Sequence, residues 1–149
     1  MGLRTFVKVN SVTNLSDARY CAGMGVDQIG FCADSANSHF VPADTLKEIT
    51  GWISGVEIVQ EFGKALPQSI STEIIELNGT EHLSSHQTAR FILKLSLAEA
   101  VNLDKSTTAP TPEYILIEDE GELSKDMLMQ LKSLCEMHKI VLGFGITEA

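Results

Sequence analysis

Basic residues are scarce in this chain of 149 residues: 11 Lys and Arg stand against 20 Asp and Glu, a formal net charge of −9 at pH 7. That balance argues against a nucleic-acid surface, which needs clustered cations to neutralise phosphates. It argues equally against docking on an anionic membrane. No apolar run approaches the roughly 20 residues needed to span a bilayer. The N-terminus has no basic segment followed by an apolar one, so no secretory signal is expected. Cysteine is also sparse. Cys21, Cys32 and Cys135 are odd in number and widely spaced, which points to reduced thiols in a cytoplasmic protein rather than a disulfide framework. All three read as small buried hydrophobes. No C-x-x-C pair occurs, and neither a metal nor a cofactor is expected.

What is present is a globular composition, 44% hydrophobic and 21% charged, in a length that suits one domain with a sizeable core. Short apolar segments alternate with amphipathic ones, the pattern of βαβ units and a parallel sheet. Strands are expected at 5–9, 28–32, 56–60, 73–77, 91–95, 114–117 and 139–143. Several are continuously apolar, as strands covered on both faces tend to be. Asn14 and Asp17 form a capping-box-like helix start, and Gly23 or Gly25 can supply the left-handed stop. Pro42 stands where a first helical residue belongs, followed by Leu46, Ile49 and Ile53 on one face. Ser124 can cap a helix with a core stripe of Leu128, Leu131 and Leu134 or Cys135. Met127, Met129 and Met137 read as packing residues there. The segments 67–72 and 84–88 are weaker helix candidates, and 105–112 reads as a loop.

Alternation places Lys8 and Asn10 on one side of the first strand if Val7 and Val9 pack on helices. A lysine on an inner face wants a carboxylate, which Glu76 or Glu118 could supply. Glu57 and Glu61 flank the third strand and read as solvated ends. Glu118-Asp119-Glu120 is an acidic run at a strand end, read as a solvated turn. His82, His86 and His138 lie in polar surroundings and are assigned no role.

The opening stretch, Lys8-Val9-Asn10-Ser11-Val12-Thr13-Asn14, resembles the N-terminus of the phosphoribosylanthranilate isomerase family. Members of that family carry lysine, a hydrophobic residue, cysteine, glycine, a second hydrophobic residue, threonine and asparagine here. Lys8, Thr13 and Asn14 match; Asn10 stands in the place of the catalytic cysteine. The likeness extends along nearly the whole chain. Ser38-His39-Phe40-Val41-Pro42 resembles the loop in which the family bears an arginine, with His39 at that position. Ile74 to Gly79 looks like the family's Q-L-H-G strand, with Glu76, Asn78 and Gly79 in place. Tyr114 to Asp119 resembles the strand that ends in the family's general-acid aspartate, whose position falls on Glu118, with Asp119 as the fallback. Gly143 to Ile146 looks like the glycine turn that helps to hold a substrate phosphate.

The resemblance implies a (β/α)8 TIM barrel, incomplete here with about seven strands, in which 1–149 is a single barrel domain lacking the eighth strand and helix. A doubly wound open sheet is the other architecture the alternation allows, but the first strand carries no G-x-G-x-x-G. An open edge on strands one and seven would leave backbone groups unpaired. The expectation is therefore a fragment or truncated barrel, or one completed by a homo-oligomer or a swapped dimer.

The family reaction is the Amadori rearrangement of phosphoribosylanthranilate in tryptophan biosynthesis, in which an acid opens the sugar ring and a base removes the adjacent proton. An amide cannot titrate as a thiol does, so Asn10 cannot be that base. Glu118 remains as acid, with Asn10 orienting the substrate and Cys32 as the only replacement thiol. Lys8, His39, Asn78, Gly143 and Gly145 are the implied substrate-binding residues, for a small phosphorylated sugar-type ligand. Glu120 and Glu122 stand where the family has a glycine-rich phosphate-binding stretch, and their charge opposes a phosphate. A non-catalytic ligand-binding or protein-interaction scaffold is the alternative, and a different phosphosugar barrel a third.

Overall fold

The computed structural model describes residues 5–65, 70–79, 90–101, 112–117, 125–126, 129–130, 132–133 and 142–144. The chain divides into two compact units, Met1–Glu76 and Leu77–Ala149, with the boundary inside one strand.

In the first unit the elements run β1 (Lys8–Val9), α1 (Leu15–Gly23), β2 (Gln28–Cys32), α2 (Ala43–Thr50), β3 (Glu57–Gly63) and the start of β4 (Ile74–Asn78). Neighbouring strands follow chain order. β1 and β2 pair in parallel, Lys8 beside Gln28, and β2 pairs in parallel with β3 from Gln28 beside Glu57 to Cys32 beside Glu61. β2 is the anchor. All five of its residues are buried, because it lies between two strands and under the helices. β1 is shorter than the apolar run 5–9 suggests: Phe6 and Val7 remain exposed, and only Lys8 and Val9 join the ladder.

The strand period of two sorts this unit into two faces. Ile29 and Phe31 of β2 join Ala18 of α1 and Leu46 and Ile49 of α2 in one apolar cluster, against which Val9 and Ile58 also pack. Burying Ile29 and Phe31 in this way contributes about 1.5–3 kcal/mol for each side chain. The opposite face therefore carries Lys8, Gly30, Val59 and Glu61.

Helix α1 starts as its sequence dictates. The Asn14 side chain accepts a hydrogen bond from the Asp17 amide at 2.8 Å and donates to the Asp17 carboxylate at 2.9 Å. Gly25, at φ 78°, makes the left-handed exit two residues after the helix ends. Pro42 occupies the N-cap rather than the first helical position, with φ −60° and ψ 154°, and Ala43 begins α2.

The second unit contains the end of β4, then β5 (Arg90–Leu95), α3 (Leu97–Val101), β6 (Ile115–Ile117) and β7 (Leu142–Phe144). β5 and β6 pair in parallel through Leu93 and Ile115, and β6 and β7 through Ile115 and Leu142. Ile92, Leu93, Leu95 and Ile115 are fully buried. Arg90 donates to both carboxylate oxygens of Glu113, at 2.8 and 3.3 Å, and this bond holds Glu113 below the usual carboxylate range. The pair is exposed and contributes at most about 1 kcal/mol. The short helix α3 is not expected from the sequence pattern. Its start is a reciprocal capping box in which the Ser96 hydroxyl accepts from the Glu99 amide and the Glu99 carboxylate accepts from the Ser96 amide, each at 3.2 Å.

Met129 is exposed, so at this position the expected packing role is corrected. Met127, Met137, Cys135, Leu128, Leu131, Leu134 and the other three histidines lie outside the described residues. Among the described residues no helix is long and apolar enough to cross a membrane.

Replacing Asn14 by Ala removes the α1 cap and should lower stability by about 1 kcal/mol. Urea denaturation would detect this as a lower midpoint at an unchanged slope.

Candidate functional site

Three charged side chains converge on the face of the first unit's strands that lies away from the helices. Lys8 leaves β1 on the face away from the helices. Its ammonium stands 2.7 Å from Oε2 of Glu61 on β3 and 3.2 Å from Oε1 of Glu76 on β4. It also donates to the side-chain oxygen of Asn10. An ammonium has three N–H donors, and these three oxygens take them all. The three charged side chains are nearly sealed, with 7% or 8% of their surface accessible.

Charges so placed would be costly without partners, since desolvating an ion costs several kcal/mol. The backbone supplies the remaining support. Oε1 of Glu61 accepts from the Ser11 amide at 2.9 Å. Ser11 is the sole non-glycine residue at positive φ (55°) among the described residues. A left-handed backbone costs about 1–2 kcal/mol for a residue with a Cβ, and this position corresponds to glycine in the family pattern. Room for the carboxylate comes from Gly30. A Cβ built there would lie 2.4 Å from Oε2 of Glu61 and 2.5 Å from its carboxyl carbon.

Several expectations meet this geometry. Lys8 and Asn10 do share one side of the chain, and Glu76 is the carboxylate that meets the lysine. Glu61 corrects the reading of a solvated strand end: it is 7% exposed and central to the network. The sequence does hold a signal for this. Ile58 packs toward the helices, so Glu61, three residues on, must face the other way. Glu57, by contrast, is exposed and accepts from the Gln28 side chain at 3.2 Å.

His39 sits exposed in the loop between β2 and α2. Its amide donates to the Asn37 side chain at 2.9 Å, and its imidazole makes no bond to the Lys8 network. Asn78 is half-buried at the end of β4, followed by the left-handed Gly79 at φ 89°. Gly143 lies in β7 beside Leu116. Glu118, Asp119 and Gly145 lie outside the described residues.

Cys32, the candidate replacement thiol, is buried at the end of β2. Burial pushes its thiol up from the ordinary value. The Asp34 carbonyl, which accepts from its sulfur at 3.8 Å, partly offsets this, and Glu61 and Asp34 add to the rise. Cys21 is also raised, by burial and then by Asp17. Neither environment favours a thiolate. Away from this chemistry, a groove of about 540 Å³ opens at the amino ends of the strands between Phe6, Asp27, Val56 and Glu57.

Two measurements probe the network. Lys8→Met leaves two carboxylates buried without their cation and should cost about 3–5 kcal/mol, with much of the loss recovered when Glu61→Gln and Glu76→Gln are added. Chemical denaturation of the single and triple variants reads both effects. Cys32 in the native protein should react with iodoacetamide at pH 8 at least about tenfold more slowly than a free thiol. Mass mapping of the alkylated sites over time checks this.

No family model matches the chain, and no curated protein matches its sequence. Solved structures do match. Phosphoribosyl anthranilate isomerase from Thermus thermophilus aligns over 96% of this chain and 78% of its own, with a TM-score of 0.73 at 15% identity. Monomers generated from the dimeric isomerase of Thermotoga maritima align over 95% of this chain and 87% of theirs, with a TM-score of 0.68 at 15% identity. The isomerase in complex with reduced 1-(o-carboxyphenylamino)-1-deoxyribulose 5-phosphate gives 0.63 at 17% identity, over the same shares of the two chains. Parallel strands in chain order, α1 and α2 on one face of the first unit and this likeness agree: the chain has the fold of the phosphoribosylanthranilate isomerases, an incomplete (β/α) barrel.

Proposed function

We propose that this chain is a diverged relative of the phosphoribosylanthranilate isomerases, in which the barrel is kept as a ligand-binding scaffold and thiolate-based isomerisation has been lost. The observation that carries this reading is the bonding of Asn10 and Lys8. The residue at the cysteine position is an amide whose oxygen accepts from Lys8. The other two donors of Lys8 go to Glu61 and Glu76. A proton-abstracting base is missing from the end of β1, and the lysine beside it has no donor left for a substrate. Cys32 does not replace the base, because its burial disfavours the thiolate.

On this reading Glu118 is what remains of the family's acid–base pair, and Asn10 orients a ligand without taking its proton. The ligand class is a small phosphorylated sugar. Backbone amides at Gly143 and Gly145, the positions that the resemblance assigns to the phosphate, would hold it.

The test is an isomerase assay with phosphoribosylanthranilate on the wild-type chain and on Asn10→Cys, beside a thermal-shift series with reduced 1-(o-carboxyphenylamino)-1-deoxyribulose 5-phosphate. No turnover is expected from the wild type. A rise in Tm with the ligand is expected, because a molecule that binds the native state stabilises it by mass action. Wild-type turnover that Glu118→Ala abolishes would overturn the reading.

A further inference from the structure

The turn after β1 has the parts of an anion site. The left-handed Ser11 turns its amide onto Oε1 of Glu61 at 2.9 Å. The Lys8 ammonium faces Oε2 at 2.7 Å. Gly30 leaves open the volume in which the carboxylate lies, which any Cβ would invade. An oriented amide donor, a cation and a cleared space are what a carboxylate needs for binding, and backbone N–H groups in such turns form anion-binding concavities.

From these contacts we infer that the rim of β1 is a carboxylate-binding site that the chain fills with its own Glu61, and that a small free monocarboxylate takes the same bonds to Lys8 and the Ser11 amide once that side chain is removed. The inference holds whether or not the barrel turns over a sugar phosphate. Formal charge selects the ligand class. Lys8 carries one positive charge against the two carboxylates of Glu61 and Glu76. A small monocarboxylate in the place of Glu61 reproduces that balance, whereas a phosphate dianion adds a further negative charge in a nearly sealed space. Glu76 and Asn10 keep their bonds to Lys8 in either case.

The experiment is chemical rescue of Glu61→Ala with acetate. Thermal melts of the full wild-type chain and of the variant are compared in sodium acetate, sodium chloride and sodium phosphate at matched ionic strength and pH 7. The variant should melt below the wild type. Acetate at a few times its Kd should raise the variant's Tm by about 2–4 °C beyond chloride. The wild type should show no acetate-specific shift, because its own side chain holds the site. Equal responses of the variant to acetate and chloride overturn the inference, as does an equal acetate effect on the wild type. A phosphate shift as large as the acetate shift overturns the assignment to carboxylates. If Glu61→Ala does not fold alone, its refolding yield from urea, and that of Glu61→Ser, decides between the same outcomes. Recovery in acetate but not chloride supports the site, and no difference rejects it.

Discussion

A buried ammonium needs every one of its protons placed, and much of the first unit is arranged around that need. Lys8 can lie on the sealed face of the sheet only because β3 brings Glu61 to it, β4 brings Glu76 and the turn brings Asn10. The most distant of them, Glu76, lies 68 residues along the chain from Lys8. The network therefore couples the alignment of three strands to a single charge. Misplacing any strand would leave the cation in a medium that solvates it poorly, a penalty larger than a typical hydrogen bond returns.

The apolar side of the same strands sets this alignment. Ile29 and Phe31 pack toward the helices, and that choice fixes which side Gly30 faces. The core and the polar network are thus two sides of one alternation. The Ser11 backbone completes the arrangement with a left-handed turn where the family pattern has glycine. A serine there accepts strain that glycine would avoid, and its amide gains a buried carboxylate.

Much of this is legible in the chain itself. The run Gln28 to Cys32 is β2 to the residue, because a strand covered on both faces carries apolar residues almost throughout its length. The Asn14–Asp17 cap announces α1 through local hydrogen-bonding chemistry alone. The run 5–9 overstates β1, since apolar character at Phe6 and Val7 says nothing about whether a neighbour pairs with them. α3 escapes because five residues give too little periodicity, although Ser96 and Glu99 spell its cap. The site is half visible. Lys8, Asn10 and Glu76 can be placed on one face by parity, whereas Glu61 reads as solvated because a glutamate near a strand end normally reaches water. Its burial depends on a glycine in a different strand, and such a pairing is tertiary information.

That pairing limits how the sequence can drift. The space beside Gly30 is occupied by a side chain from another strand, so residues 30 and 61 do not vary as independent letters. A methyl group at position 30 obliges the Glu61 carboxylate to swing aside and give up its bonds to Lys8 and the Ser11 amide, whereas a shorter residue at 61 removes the conflict. The two positions are coupled: a larger residue at 30 is accommodated best beside a shorter one at 61.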